Sequence, residues 1–345
     1  MIDLSGIQEV IPTIVDDIMY YFAYQPNERD QIDKRSICKL THKLKEDYDL
    51  EEAPDSVAIR EICDCLCKLI PMVCLRQGTL LGLSDNYYWD GRFSDGSFYY
   101  QLSREERKPY YTPIENAVFG FRYIYKKYRD CVIPIIYHTR DGKETIGSGF
   151  LAEGGYLISA RHCLEGAVSI AFIGIVFDIY RDAKVYYHKN ACIDVAVVLL
   201  NSEKKPGFKL SEKVEVFDRV IAMGYPRIPG FTCFNTAEEA VVSATPEKRF
   251  AVSEGQIAAE AQEIWSREQL FLVTAKIRGG NSGGPIINQY GECIGITSSK
   301  PDAEGDYDDL GYGTVVPARF AIEMCKDLSE HTLADVNLIE HVVQD

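Results

Sequence analysis

The chain has 345 residues, of which 46% are hydrophobic and 26% are charged, and its formal net charge is −15. This length and balance suit two globular domains with sizeable buried cores. Acidic residues outnumber basic ones on both sides of residue 130, which argues against a nucleic-acid partner because phosphate binding needs a basic face.

The N-terminal segment and the cysteines bear on the compartment. The first residues have no basic start followed by an apolar run, so no secretory signal is predicted, and every apolar run is much shorter than a membrane span. The 11 cysteines are odd in number, and their spacing is not typical of a disulfide framework. These features predict a protein of the reducing cytoplasm without a membrane partner.

Residues 1–130 are predicted to form a mainly α-helical domain with a small β-hairpin. Apolar residues at helical spacing and capping residues indicate the helices, and aromatic runs between Gly, Asp and Ser indicate the hairpin. The predicted elements are helices over residues 7–18, 30–46, 57–76 and 113–128 and a hairpin or meander over residues 79–101. This order favours a winged-helix fold or a related adaptor module, and we expect the domain to bind a regulatory protein.

Cys63, Cys65 and Cys67 lie close together in the third predicted helix and raise the question of a metal site. Positions 63, 67, 70 and 74 of one helix share a face, and they carry Cys, Cys, Ile and Cys. This is the pattern of a core stripe, and it lacks the paired CxxC spacing of zinc sites. The sequence therefore predicts no metal and no cofactor.

The sequence changes character at residue 131, where short strands begin. Many closely spaced strands separated by Gly, Asp, Asn or Pro predict an all-β barrel or sandwich. The predicted strands are VIPIIYH, TIGSGFLA, YLISA, VSIAFIG, VAVVLL, VIAMGY, LFLVTA, CIGITS and YGTVVP. A last helix is predicted over residues 317–329, because Pro317 suits a first helical position, and residues 331–345 are predicted to be a C-terminal tail.

Three motifs carry chemistry: SARHC at 159–163, IDVAVVLL at 193–200 and GGNSGGP at 279–285. A serine hydroxyl is a weak nucleophile at neutral pH and needs a neighbouring base. Histidine suits that task because its pKa lies near neutrality, and a buried carboxylate fixes its tautomer and stabilises the imidazolium. We predict Ser282 as the nucleophile, His162 as its base and Asp194 behind the histidine.

The glycines of the third motif have a separate task. An oxyanion must meet backbone N–H donors, and side chains would obstruct the tight loop that aims them. The N–H groups of Gly280 and Ser282 are the predicted donors. For the acid, Asp178 and Asp182 are alternatives to Asp194, which we prefer because an apolar strand follows it.

Together these motifs resemble the trypsin fold superfamily. The order His, Asp, Ser, the GSGF sequence at 147–150 and GYGTVVP at 311–317 are similar to its compact HtrA/Deg-like branch. The resemblance covers residues 131–330 and implies two packed six-stranded β-barrels, with the triad in the cleft between them. It also implies an aspartate that opens an apolar strand. Typical HtrA/Deg proteins carry a PDZ domain after the protease domain, but no segment of PDZ size follows residue 330, so regulation by a PDZ domain is not expected.

Two positions depart from this family. Asn281 stands where trypsin-type zymogens carry an aspartate that binds a newly cut N-terminal amine, so we expect no activation by cleavage near residues 131–135. Cys163 follows the histidine as in secreted trypsins. The usual position of its disulfide partner, in the GSG stretch, holds no cysteine, so this bridge is not expected.

Lys276 and Ser298 are the predicted substrate-binding residues. Lys276 lies six residues before Ser282, where the resemblance places the floor of the specificity pocket, and it could attract an acidic side chain or extend into solvent. An acidic loop at 302–309 could attract basic substrates instead, so the charge preference stays open. Ser298 is expected on the strand that pairs with the substrate backbone.

The leading hypothesis is a cytoplasmic serine endopeptidase that acts on protein substrates under the control of its N-terminal domain. This domain combination resembles effectors of bacterial defence systems. The alternative is a protease-fold adaptor or binding module with little turnover. A third hypothesis, a transcription-type regulator with a self-cleaving domain, needs DNA binding that the net charge does not support.

Overall fold

The computed structural model describes residues 4–24, 36–76, 85–94, 96–140, 142, 144–201, 206–226, 250–262, 269–298 and 311–340. The chain divides into two compact units, Met1–Tyr123 and Ile124–Asp345. No helix within the described residues has the length and apolar character needed to span a bilayer. The predicted acidic loop at 302–309 lies outside the described residues.

The first unit contains helices and one two-stranded antiparallel sheet. Its elements are α1 (Ser5–Val10), α2 (Ile14–Phe22), α3 (Ile37–Asp47), α4 (Ser56–Leu69), β1 (Val73–Arg76), β2 (Asp85–Tyr88) and α5 (Arg104–Tyr128), whose backbone is not helical at Gly120, close to the boundary between the units. The predicted helix over 57–76 is too long, because Pro71 follows and disfavours helical backbone at Ile70. The predicted helix over 113–128 starts nine residues earlier, at Arg104.

A capping box explains the early start of α5. The Glu106 carboxylate accepts hydrogen bonds from the Ser103 N–H at 2.8 Å and from its Oγ at 2.7 Å. The sequence SREE carries this signal, a serine followed three residues later by a glutamate. Pro109 and Pro113 both lie inside α5 although proline disfavours a helix interior, and the predicted helix began only at residue 113.

A buried ion pair fixes the core of the first unit. Asp16 is fully buried, and its carboxylate accepts hydrogen bonds from Arg107 at 2.8 and 2.9 Å and from the Tyr99 hydroxyl at 2.6 Å. A buried carboxylate is tolerated because these donors replace its water shell. The pair therefore ties α2 to the start of α5.

The second unit consists of two β-sheets with short helices. Its strands are β3 (Val132–Thr139), β4 (Glu144–Ala152), β5 (Tyr156–Ser159), β6 (Ala167–Phe172), β7 (Lys184–Tyr187), β8 (Ala196–Leu199), β9 (Arg219–Gly224), β10 (Ala251–Gln262), β11 (Gln269–Val273), β12 (Pro285–Asn288), β13 (Cys293–Thr297), β14 (Gly313–Pro317), β15 (Thr332–Leu333) and β16 (Asn337–Leu338). Its helices are α6 (Arg161–Leu164), α7 (Phe177–Tyr180) and α8 (Ala318–Lys326).

The two sheets differ in how they close. The second half forms a closed six-stranded barrel in the order β10-β11-β14-β13-β12-β9, whereas the first half forms an eight-stranded sheet in the order β15-β7-β8-β5-β4-β3-β6-β16. The predicted pair of six-stranded barrels is thus confirmed only for the second half. The segment that was predicted as a tail supplies β15 and β16, which cover the outer edges of β7 and β6.

Candidate active site

Two hydrogen bonds join His162 to Asp194 at the end of the first sheet. His162 lies in α6, directly after β5, and Asp194 lies two residues before β8, which pairs with β5. The backbone N–H of His162 donates to Asp194 Oδ1 at 2.9 Å, and the ring nitrogen Nδ1 of His162 lies 2.7 Å from Asp194 Oδ2. A carboxylate can only accept, so Nδ1 carries the proton and Nε2 is left as the basic nitrogen.

The pKa values of this pair follow from their contact. Burial is the largest influence on the pKa of His162 and would lower it, but the hydrogen bonds and charges of Asp194 and Cys163 together raise this pKa above the ordinary histidine value. Burial is also the largest influence on the pKa of Asp194 and would raise it, but the bonds and charge of His162 and the bond from Ser298 together hold it below the ordinary carboxyl value. Asp194 is therefore ionised at neutral pH and stabilises the charge that His162 gains when it accepts a proton.

Ser298, predicted to face the substrate backbone, contacts the acid. It follows β13, is 3% exposed, and its Oγ donates to Asp194 Oδ2. Asp178 and Asp182, the alternative acids, are exposed, and Asp178 pairs with Arg181. Asp194 is thus the carboxylate that the structure places on His162.

The turn that carries Ser282 is tied to the first sheet through Ser148. The Ser148 N–H donates to the Ser282 carbonyl at 2.9 Å, and its Oγ donates to the Gly280 carbonyl at 2.7 Å. Ser148 is fully buried and also accepts from the Tyr225 N–H at 2.9 Å. Sequence analysis used GSGF only for the resemblance, although a serine between two glycines could have indicated a buried polar contact.

Glycine is required inside this turn. A methyl group at Gly283 would lie 2.2 Å from the Ser148 carbonyl oxygen, and the backbone there has a φ of +85°, which favours glycine. Gly280 has a φ of +97°, and among the described residues no group accepts from its N–H. This geometry suits the predicted role of Gly280 as an oxyanion donor.

Cys163 lies between the histidine and the serine turn. Its Sγ is 3.7 Å from His162 Nε2 and donates to the Ser282 carbonyl at 3.5 Å. The structure therefore brings His162 and Asp194 into direct contact and brings the Ser282 backbone beside the residue that follows His162. A methyl group at Gly147 would lie 3.0 Å from the Cys163 Sγ, so the position where the resemblance expects a bridging cysteine is adjacent in space.

Lys276 is exposed, which fits a side chain that extends into solvent. Its N–H donates to Ser253 Oγ at 2.8 Å. Within the described part of the chain, no group of three or more His, Cys, Asp or Glu side chains could hold a metal ion.

Comparisons with known proteins find similar sequences among serine peptidases. Residues 147–296 match the family model of the trypsin-like peptidase domain. A DegP-like periplasmic serine endoprotease of Rhizobium meliloti is 31% identical over 189 residues, which cover 53% of this chain and 33% of that protein. The periplasmic serine endoprotease DegP of Salmonella typhimurium is 25% identical over 191 residues, or 54% of this chain and 36% of that protein.

Solved structures with similar folds include an HtrA-type protease, AlgW, with a tripeptide. It is 21% identical, with a TM-score of 0.43 over 59% of this chain and 62% of that chain. The chain spans about a third of the length of the curated relatives above.

The predicted cytoplasmic location is wrong by this comparison, since the matched DegP-like relatives are described as periplasmic. The prediction relied on the N-terminal residues, in which no secretory signal was recognised, and on the cysteine pattern. All ten cysteines of the described residues are free thiols, and Cys63, Cys131, Cys163 and Cys293 are buried. A buried thiol behaves as a small apolar side chain, so its reduced state does not report the redox poise of the compartment.

Proposed function

We propose that the trypsin-like peptidase domain of this chain is a serine endopeptidase that cleaves protein substrates through Ser282, His162 and Asp194. The observation that carries the proposal is the set of hydrogen bonds to the Asp194 carboxylate. Two of them come from His162 and the third comes from the Ser298 hydroxyl. This arrangement leaves Nε2 as the basic nitrogen, beside the glycine-rich turn that holds Ser282.

The proposed reaction follows from these roles. Ser282 Oγ attacks the carbonyl carbon of the peptide bond while its proton passes to His162 Nε2. The N–H groups of Gly280 and Ser282 donate to the oxygen that becomes negative. When the C–N bond breaks, His162 returns the proton to the leaving amine. A water molecule then attacks the acyl-enzyme by the same route, which releases the acid and restores Ser282.

We further propose that the first 130 residues recruit or restrain the protease by binding a regulatory protein. A buried core that includes the Asp16–Arg107 ion pair makes the first unit a structured module, as such binding requires. A role in bacterial defence would add to this function without changing the chemistry. Full-length protein and a variant without residues 1–128 should differ in partner capture and in activity; equal behaviour of the two would refute a regulatory role.

The catalytic proposal is tested by labelling with a fluorophosphonate probe, which reacts covalently with an activated serine. Wild-type protein should be labelled and should cleave casein, and Ser282→Ala should lose both activities. Ser169→Ala, a serine on β6 whose Oγ contacts His138, is the matched control and should be labelled like the wild type. Folded wild-type protein that is not labelled would instead support the alternative of an adaptor with little turnover.

A further inference from the structure

Two buried histidines lie at the base of the loop that carries Asp194. His188 directly follows β7, and His331 precedes β15 in the C-terminal segment. They are 3% and 8% exposed, and their ring centroids are 5.0 Å apart. Neither ring takes part in the proposed reaction, so their burial beside this loop needs another explanation.

Each ring accepts a backbone hydrogen bond from the loop through its Nδ1 atom. The Lys189 N–H donates to His331 Nδ1 at 3.1 Å, and the Asn190 N–H donates to His188 Nδ1 at 3.1 Å. A ring nitrogen that accepts carries no proton, so both imidazoles are neutral with the proton on Nε2. Protonation would convert each Nδ1 from an acceptor into a donor and would leave two consecutive amides without these partners.

These two amides begin the turn that leads to Asp194. The His188 N–H donates to the Val195 carbonyl at 3.2 Å, and the Ile193 N–H donates to the Asn190 carbonyl at 3.1 Å. Asp194 lies between Ile193 and Val195, so both bonds hold its backbone. These two bonds therefore close a short loop that contains both Asn190 and Asp194.

The same loop also reaches the residue before the proposed base. Arg161 Nη1 donates to the His188 carbonyl at 3.3 Å, and its guanidinium lies 5.1 Å from the ring centroid of Tyr187. Arg161 is next to His162 in α6. The loop from residue 187 to 195 thus supports both His162 and Asp194.

Charged groups from three elements face the histidines. Glu323 of α8 places Oε2 at 3.7 Å from His188 Nε2. The Lys189 ammonium lies 3.1 Å from Glu323 and 3.0 Å from Glu330. The carboxylates favour protonated rings, and Lys189 opposes them.

Asp327 of the C-terminal segment also favours protonation of His331, and the charge of one ring opposes protonation of the other. Burial is the largest influence, and it lowers the pKa of both His188 and His331 below the ordinary histidine value. Both rings are therefore neutral at neutral pH and gain protons in mildly acidic solution. A lowered histidine pKa contributes stability above the unfolded value near 6.5, and that stability is lost as the pH falls through the folded pKa.

We propose that His188 and His331 are positioning residues for the Asp194–His162 pair and that their protonation switches the protease off in mildly acidic solution. This inference rests on the proposed function. His188 Nδ1 already lies 3.4 Å from the Asn190 carbonyl, which can accept from the protonated ring. Protonation would therefore remove the bonds that the rings accept from the Lys189 and Asn190 N–H groups, and the loop around Asp194 would be held by fewer hydrogen bonds.

The test is the pH dependence of fluorophosphonate labelling between pH 8 and pH 5, with each protein normalised to its own rate at pH 8. Protonation of His162 alone gives a logarithmic slope of about 1. Two further protons in the wild type should steepen the slope to between about 2 and about 3 as the pH falls through the lowered pKa values of His188 and His331. In the double variant His188→Asn/His331→Asn the slope should stay near about 1, because an asparagine oxygen can accept in place of Nδ1 but does not titrate.

The matched control is His138→Asn, a histidine on β3 whose side chain is 40% exposed, and it should keep the steep slope of the wild type. An equally steep slope in the double variant would overturn the inference. A wild type that is not labelled at any pH would instead refute the proposed function.

A second measurement does not need activity. In full-length Ser282→Ala, hydrogen exchange of the segment 184–195, corrected for intrinsic rates, should increase below about pH 6. The increase should be absent when both histidines are also replaced by asparagine. Exchange that does not change with pH would overturn the positioning role even if labelling fails.

Discussion

Replacing Ser298 by alanine tests how firmly the acid must be held. Asp194 is 4% exposed, and its Oδ2 atom accepts from both His162 Nδ1 and Ser298 Oγ. Ser298→Ala removes one donor from a buried carboxylate and leaves the two bonds from His162 in place. The bond also contributes to the lowered pKa of Asp194, so the variant should have a carboxylate that is less well stabilised as an anion.

The size of the effect follows from the kind of bond. A hydrogen bond to a charged group contributes about 1.5–3 kcal/mol. Each 1.36 kcal/mol of transition-state stabilisation is tenfold in rate, so complete loss would slow the reaction by about 10- to 150-fold. The loss should be in the rate of the chemical step, because Asp194 stabilises the imidazolium that forms there.

The assay is the second-order rate constant for fluorophosphonate labelling, measured together with thermal unfolding of the same samples. Ser298→Thr keeps the hydroxyl and should recover most of the rate. Ser298→Ala protein that is folded and is labelled within twofold of the wild-type rate would show that the hydroxyl does not support Asp194, and the proposed role of this contact would then be wrong.

Two further predictions concern the pair and its neighbours. The labelling rate of the wild type should increase with pH through a His162 pKa above the ordinary value, because only the neutral ring accepts a proton. In Asp194→Asn this increase should occur at lower pH, and the labelling rate at high pH should be lower by about 10⁴-fold. A pH–rate profile in which the increase is not shifted would contradict the prediction. Gly147→Cys should form a disulfide with Cys163 under oxidising conditions. The added Cβ would lie 3.4 Å from the Cys163 Cβ and 3.0 Å from its Sγ, near the usual disulfide geometry. Mass spectrometry of unreduced peptides would detect the bridge, and free thiols at both positions would contradict the prediction.

Much of the site could be predicted because its chemistry requires particular residue types next to particular backbone. The contact of His162 with Asp194 was expected from a histidine at the end of one strand and an aspartate before another. The roles of Ser282 and Gly280 remain predictions that the proposed labelling tests. The predicted start of α5 at residue 113 was wrong because the local signal for the start at Arg104, the Ser103–Glu106 capping box, was not used.

Contacts between distant residues could not be predicted in the same way. Ser298 was expected on the strand that pairs with the substrate backbone, and no local signal indicated that its hydroxyl binds Asp194, which is 104 residues away in the chain. Strands β15 and β16 have two residues each, which is too short for any alternating pattern to appear. The bond from Lys189 to His331 joins residues 142 positions apart, and no local signal connects them.

Local signals in the sequence predicted many of the strands of the second unit and the residue types proposed for the reaction, because strand periodicity, caps and glycine turns act over a few neighbouring residues. The tertiary structure alone decided which side chains surround Asp194, how Ser148 ties the Ser282 turn to the first sheet, and where the C-terminal segment lies. These contacts depend on the path of the whole chain, because burial and hydrogen bonding stabilise residues that are close in space regardless of their separation in sequence.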